Sequence, residues 1–264
     1  MALIVCHSPK GGTGTTFVAA HLAQGLVAQG AEVTVLTTAT FDPLPLHFAL
    51  PPATRLPSLL APADQAVVVN GIDLRKMTRA EHEPDFAAMI GDLGFLEAGN
   101  ERVMIVDVPS GQLGFARSLL EIAQLHLCTL TAAPECLSMI PRLIDGEDGV
   151  WGAQSMLVLN RLDETRRLSR HSAAFLRELA GSRLLGRVRL DEAVPEAGAM
   201  LQPLDRYAPT SAALTDLVQI AQAVGVRLEA EGVAFDTSAV DTSAVDTRQA
   251  AADVRQSAKQ SRVA

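Results

Sequence analysis

An apolar run, Ala2 to Cys6, is followed after three residues by Lys10-Gly11-Gly12-Thr13-Gly14-Thr15-Thr16, and a helical pattern opens directly behind it. Few features constrain a fold so tightly. Gly11, Gly12 and Gly14 permit positive φ angles and close backbone approach, and the strand-turn-helix setting aims the N–H groups of the turn and helix start at one point. An anion cradle of this kind, ending in Gly-Lys-Ser/Thr, is a P-loop. Its backbone wraps nucleotide phosphates, its lysine reaches the β/γ-phosphates, and its hydroxyl sits on Mg²⁺. Here Gly14 and Thr16 stand in place, the lysine position holds Thr15, and another lysine, Lys10, stands at the front of the loop. ATP and Mg²⁺ are the expected cofactors, with Lys10, Gly11, Gly12, Thr13, Gly14, Thr15 and Thr16 around the phosphates.

The rest of the chain alternates short β-rich runs with helical stretches, which predicts an α/β fold: a mostly parallel twisted sheet with helices on both faces. The strands are expected at Ala2 to Cys6, Glu32 to Thr37, Ala66 to Asn70, Arg102 to Val108, His126 to Thr131, Gln154 to Asn160 and Arg183 to Arg189. Most are near-continuous apolar runs, as strands covered on both faces require. The first helix should run from about Thr15 to Gln29 and stop at Gly30. Leu214, Leu217, Val218 and Ala221 predict a C-terminal helix on the sheet. Phe41 to Pro62 carries six prolines, excludes a long helix, and should form a short helical turn and a loop beside the nucleotide. From Asp236 the chain is polar and repeats Asp-Thr-Ser-Ala-Val, too little apolar surface to offset its ordering entropy. The organisation expected is thus one domain over 1–234 and a disordered tail over 235–264.

Composition excludes several classes. The chain has 264 residues, 48% hydrophobic and 20% charged, and no apolar run approaches the length of a membrane span. The N-terminus lacks the basic n-region and cleavage site of a signal peptide. Cys6, Cys128 and Cys136 on apolar segments, without a Cys-x-x-Cys, predict a reduced cytoplasmic protein. The six histidines have no metal-ligand spacing, and no Gly-x-Ser-x-Gly elbow is present. A net charge of −8 disfavours nonspecific DNA binding. Arg161, Arg166, Arg167, Arg170 and Arg177 on or near one helix are the candidate basic face, and a solvated helix face is the commoner meaning of such a run.

Lys10-Gly11-Gly12-Thr13-Gly14 with its hydroxyl pair resembles the deviant Walker A loop of the ParA/MinD superfamily. Val103 to Gly111, an apolar strand ending in Asp107-Val108-Pro109, resembles that superfamily's second switch. Leu157 to Arg161 resembles its adenine-contacting strand end, and Leu184 to Pro203 the strand and loop that close over the base. The loop reading Gly-Gly-x-Gly-Thr-Thr, Ile105 to Pro109, Leu44 to Phe48, and Asp191-Glu192-Ala193 with Gln202-Pro203 are similar within it to the BcsQ (YhjQ) family of cellulose-biosynthesis proteins. The resemblance runs from the N-terminus to about Val224. It implies a homodimer across nucleotide in which Lys10 reaches the partner's phosphates, with Asn160 and Asp191 near the base. It also implies docking to a cellulose synthase and secretion complex at the cytoplasmic face of the inner membrane. The C-terminal helix lacks the basic amphipathic pattern of a direct membrane anchor, and Cys128 and Cys136 do not match the placement of a dimer-bridging iron–sulfur cluster.

The departures matter as much as the matches. Thr15 removes a fixed positive charge from the phosphoryl group, and such contacts are worth orders of magnitude in rate. Thr37 and Ala39 occupy the positions of the superfamily's first-switch carboxylates. Asp42 lies three residues on, a turn residue before Pro43 or a re-aimed carboxylate. Asp107 ends a buried strand, where a carboxylate needs a partner; with Thr16 it can hold Mg²⁺, or it can cap the next helix. The expected function is an ATP-binding scaffold with weak or absent hydrolysis. The alternatives are an active positioning or partitioning ATPase, possibly on DNA, and a P-loop that holds no nucleotide.

Overall fold

The computed structural model describes residues 2–78, 85–92, 102–141, 152, 154–233 and 235. The repeat-bearing tail lies outside these, apart from Phe235, whose ring packs near Gly225 on the core. In chain order the elements are β1 (Ala2–His7), α1 (Thr15–Val27), β2 (Glu32–Thr37), α2 (Leu44–His47), β3 (Val67–Val69), β4 (Ile72–Lys76), α3 (Phe86–Asp92), β5 (Arg102–Val108), α4 (Leu113–Leu120), β6 (Leu125–Thr131), α5 (Pro134–Leu137), β7 (Ser155–Leu162), α6 (Arg167–Ala180), β8 (Leu184–Arg189), α7 (Ala193–Ala199), α8 (Leu204–Tyr207) and α9 (Ala212–Ala230).

The strands form one sheet in the order β3-β4-β2-β5-β1-β6-β7-β8. All neighbours are parallel except β3 and β4, which are antiparallel. The seven expected strands are present; β4 was not among those expected. Its sequence, Ile-Asp-Leu-Arg-Lys, alternates apolar and charged residues, and the charged face is not left to solvent. Arg75 is only 6% exposed. Its Nε donates to both Asp73 carboxylate oxygens at 2.9 and 2.8 Å, and its Nη1 donates to the carbonyls of Ser58 and Ala61. One arginine thus ties the proline-rich 41–62 segment to the sheet. The signal for the hairpin was Asn70-Gly71, whose φ angles of 50 and 80° suit a tight turn between antiparallel strands.

Strand alternation divides the apolar residues into two layers. Ile4, Val33, Ile105, Leu127 and Val158 face α1 and α9, whereas Leu3, Val5, Met104, Val106, Leu130 and Leu159 face the layer that includes Phe115 and Leu119 of α4 and Leu176 of α6. Helix α1 ends at Val27 and the chain turns at Gly30, φ 93°, close to the expected stop. Helix α9 is capped by Ser211, whose hydroxyl accepts from the Leu214 N–H at 3.2 Å. β1 lies between β5 and β6, so successive crossovers diverge beside it and open a crevice at the carboxyl ends of the strands.

Polar groups are also buried within this sheet. His126 Nε2 lies 3.3 Å from the His7 carbonyl, which can only accept, so Nε2 carries the proton and Nδ1 accepts from the Ser155 hydroxyl at 2.9 Å. Burial pushes His126 down to about 3, His21 on α1 down to about 4 and His47 on α2 down to about 3. The unfolded chain binds protons that these sites refuse. The stability that rests on these three histidines is therefore complete above about pH 6.5 and declines as pH falls toward 4, by up to about 1.4 kcal/mol per pH unit for each histidine. Asp107, raised by burial to about 7, works in the opposite direction, with one proton against three. Urea midpoints measured between pH 7.5 and 5 should fall accordingly; a flat profile contradicts neutral burial.

Candidate functional site

The glycine loop occupies the crevice beside β1. Gly12 and Gly14 adopt φ 78 and 90°, and Gly14 serves as N-cap of α1 without a side-chain cap. Among the described residues the N–H groups of Gly11, Gly12, Gly14, Thr15 and Thr16 have no protein acceptor, the state of a cradle made for an external anion. The loop is braced from β7: Asn160 Nδ2 donates to the Thr13 carbonyl at 2.8 Å, and its Oδ1 accepts from the Arg161 N–H at 2.9 Å. A Cβ on Gly14 would sit 2.3 Å from Asn160 Nδ2. The Thr15 hydroxyl faces Thr13 at 3.2 Å and brings no charge.

Thr16 and Asp107 come together as expected, the threonine hydroxyl donating to Asp107 Oδ2 at 2.7 Å. Asp107 is 3% exposed and its Oδ1 has no protein donor among the described residues. Burial pushes its carboxyl up to about 7; the Thr16 hydrogen bond opposes this, and the nearby Asp42 charge adds to it. A buried carboxylate with one neutral donor, beside a threonine hydroxyl and an anion cradle, fits a divalent cation such as Mg²⁺. It does not cap α4, whose N-cap is Gln112.

Thr37 lies opposite Asp107 in the β2–β5 register, and Ala39 lines the crevice; neither has a carboxylate. Asp42 Oδ1 accepts from the Leu44 N–H at 2.9 Å at the start of α2, and its carboxyl, pushed above the usual range by burial, also lies close enough to Thr37 and Asp107 to interact with both. The 41–62 segment does form a short helix and loop beside the site, as its prolines suggested, contributing Phe41, Pro43, Leu46, His47 and Pro52 to the wall. The far side is built by Val188 to Asp191 and residues of α7. Asp191 accepts from the Ala193 N–H, the Ser211 hydroxyl (2.7 Å) and the Ala213 N–H. Those bonds hold its carboxyl below the usual range and tie the loop after β8 to the start of α9. Together these walls enclose a cleft of about 1170 Å³ that holds Lys10, Gly11, Gly12, Gly14, Thr15, Thr16, Asp107, Asn160 and Asp191 in its lining.

Residues 69–224, more than half of the chain, match the model of the family described as cellulose biosynthesis protein BcsQ. The chain belongs to the BcsQ family. Among solved structures, it is similar to the septum site-determining protein MinD of Pyrococcus horikoshii OT3 complexed with Mg-ADP (19% identity, 86% of this chain and 98% of that one, TM-score 0.64). It is similar also to a ParA family ATPase from Chlorobium tepidum TLS (18%, 84% and 98%, TM-score 0.65). A third is a plasmid partition protein from Borrelia burgdorferi B31 bound to AMPPNP (16%, 86% and 99%, TM-score 0.66). At these identities the likeness establishes a shared ParA/MinD fold. A comparison with curated protein sequences finds no significant match.

Within this BcsQ-family fold, two parts of the site go beyond what the sequence indicates. Arg161, which the sequence offers both to the Leu157 to Arg161 strand end and to a basic helix face, belongs with the strand and the loop: it is the next-to-last residue of β7, with φ 53°, and its guanidinium donates to the Gly12 carbonyl at 3.1 Å. The other is a cluster of Phe17, His21 and His47, with ring centroids 4.4 to 6.2 Å apart, lining the cleft beside α1. Its members are scattered over thirty positions, and only α1–α2 packing assembles them. Gly14→Ala meets both a positive φ and Asn160, and should cost about 1–3 kcal/mol in urea unfolding. Gly111→Ala, with nothing within 4 Å of the added carbon, is the near-neutral control. Equal stability of the two variants contradicts the brace.

Proposed function

We propose that this chain is an ATP-binding, ParA/MinD-like dimeric scaffold or regulator of bacterial cellulose biosynthesis and secretion, with hydrolysis slow or absent. The observation that carries this reading is the contrast inside one cleft. The groups that hold a nucleotide are in place: free N–H groups, Thr16 against Asp107, and the Asn160 brace. The groups that would drive phosphoryl transfer are not, since Thr15, Thr37 and Ala39 stand where a lysine and two carboxylates belong in the superfamily. Electrostatic stabilisation is most of what such catalysis requires, so their loss weighs on turnover more than on binding.

Lys10 lines the cleft and its ammonium has no partner among the described residues. In the dimer it would reach the partner's nucleotide, so that ATP bound at the shared face stabilises the dimer by its higher affinity for that state. The composite surface would dock proteins of the cellulose machine at the cytoplasmic face of the inner membrane. Among the described residues no helix is long and apolar enough to cross a membrane, so recruitment would run through those partners. Direct DNA retention is disfavoured: Arg166 pairs with Asp163 at 2.9 Å, and Arg170 donates to the carbonyls of Glu164 and Thr165.

The test combines nucleotide extraction, light scattering after gel filtration with ATP and Mg²⁺, and single-turnover hydrolysis. Purified protein should carry or bind ATP and run at twice its monomer mass. Lys10→Ala should stay monomeric while still binding nucleotide. Phosphate release well above the uncatalysed background would instead favour the cycling ATPase, and no nucleotide under any condition would remove both readings.

A further inference from the structure

The cleft has a cation that the loop sequence does not disclose. Along a β-strand successive side chains point to opposite faces, yet Asn160 and Arg161, adjacent on β7, both reach the glycine loop, at Thr13 and Gly12. The alternation is broken by a register shift. Leu159 pairs with Arg187 and Leu162 with Arg189, so β7 spends one more residue than β8 over this interval. Arg161 sits inside that interval with φ 53°, a left-handed conformation uncommon outside glycine, held by its own N–H on Asn160 Oδ1. Bulges of this kind re-aim side chains beside functional sites.

The charges of the cleft show what the re-aimed side chain is available for. Arg189 is committed to Asp216 through Nε and Nη2, each at 2.8 Å. Arg161 makes no ion pair with any described residue and is bound only through one Nη1 contact to a neutral carbonyl. That leaves most of the five donors of its guanidinium unclaimed, at the rim of a cradle whose own N–H groups are also unclaimed. A planar guanidinium suits phosphate oxygens, which it can bind two at a time.

We propose that Arg161 supplies, from within the same subunit, the fixed positive charge that Thr15 withdraws from the loop, binding the phosphates of a nucleoside di- or triphosphate. The inference rests on the nucleotide-binding reading above and adds the residue that makes such binding affordable without the loop lysine. The charge arrives from β7 instead of α1 and enters the cleft lining beside the Gly12 carbonyl. It compensates ground-state phosphate charge while leaving the Thr15 position neutral.

The experiment measures affinities for ATP, ADP and AMP with Mg²⁺ by displacement of a fluorescent ATP analogue, on the full chain. Arg161→Gln keeps a donor for the Gly12 carbonyl and removes the charge. It should weaken ATP and ADP by about tenfold or more while AMP stays within about twofold. Arg161→Lys should retain most of the affinity. Adding Thr15→Lys to Arg161→Gln should recover most of what was lost, and on the wild-type background the same lysine should add less, the non-additivity of two groups sharing one task. Wild-type ATP affinity in Arg161→Gln overturns the inference and leaves the nucleotide reading standing. Equal losses for AMP and ATP, or no recovery by Thr15→Lys, also overturn it, because they mark Arg161 as a loop brace only. If the wild type binds no nucleotide, the parent reading fails and the inference with it.

Discussion

The hydrogen bond from Asn160 to the Thr13 carbonyl carries more of this molecule than its 2.8 Å length suggests. A loop with three glycines in four residues has large conformational freedom to lose, and within the loop only longer hydroxyl contacts, from Thr13 to the Lys10 carbonyl and to the Thr15 hydroxyl, offset that loss. The bond comes from β7, two strands away across the sheet from β1, so the cradle is held by the sheet and not by local turn geometry. Around it everything else finds its place. Gly14 must lack a Cβ because the Asn160 amide occupies that space, Thr16 is thereby set against Asp107, and the loop's N–H groups remain directed into the cleft.

A second constraint is electrostatic. Asp107 is buried near the end of β5 with a single neutral donor; its neighbours Thr37 and Ala39 contribute no charge, and Asp42 adds a second negative one. In a crevice of low polarizability the charge balance depends on few groups, each counting for more than it would in water. With Arg189 paired to Asp216, the cationic side of the balance falls to Lys10 and Arg161, one at the front of the loop and one behind it.

Much of this was legible in the sequence, for physical reasons. Doubly covered strands must be apolar throughout, so seven of the strands announced themselves, and a glycine loop between a strand and a helix has few uses. Thr16 and Asp107 could be paired from their chemistry, a P-loop hydroxyl and a carboxylate near the end of a buried strand both suiting one Mg²⁺. What stayed hidden depends on contacts distant in sequence. β4 is concealed by Arg75, whose charge reads as surface but is neutralised by Asp73 and by carbonyls some fifteen residues upstream. Arg161 reads from the sequence both as the end of the Leu157 to Arg161 strand and as a member of the basic run before α6; what stays hidden is its turn toward Gly12, because a one-residue register shift against β8 leaves no trace in composition. The Phe17, His21 and His47 cluster is likewise a product of packing between α1 and the proline-rich segment.

The bonds that Asp191 makes to Ser211 and Ala213 have a mechanical consequence. They fasten the loop flanking the cleft to the first turn of α9, and α9 is a 19-residue rod, about 28 Å from end to end. That rod is held along its length, with Leu217, Ile220, Ala221, Val224 and Leu228 buried in the core. The rim of the cleft at Asp191 is therefore anchored in the same rigid piece that packs against Phe235, and its position is set by the core instead of by the short span of the loop itself.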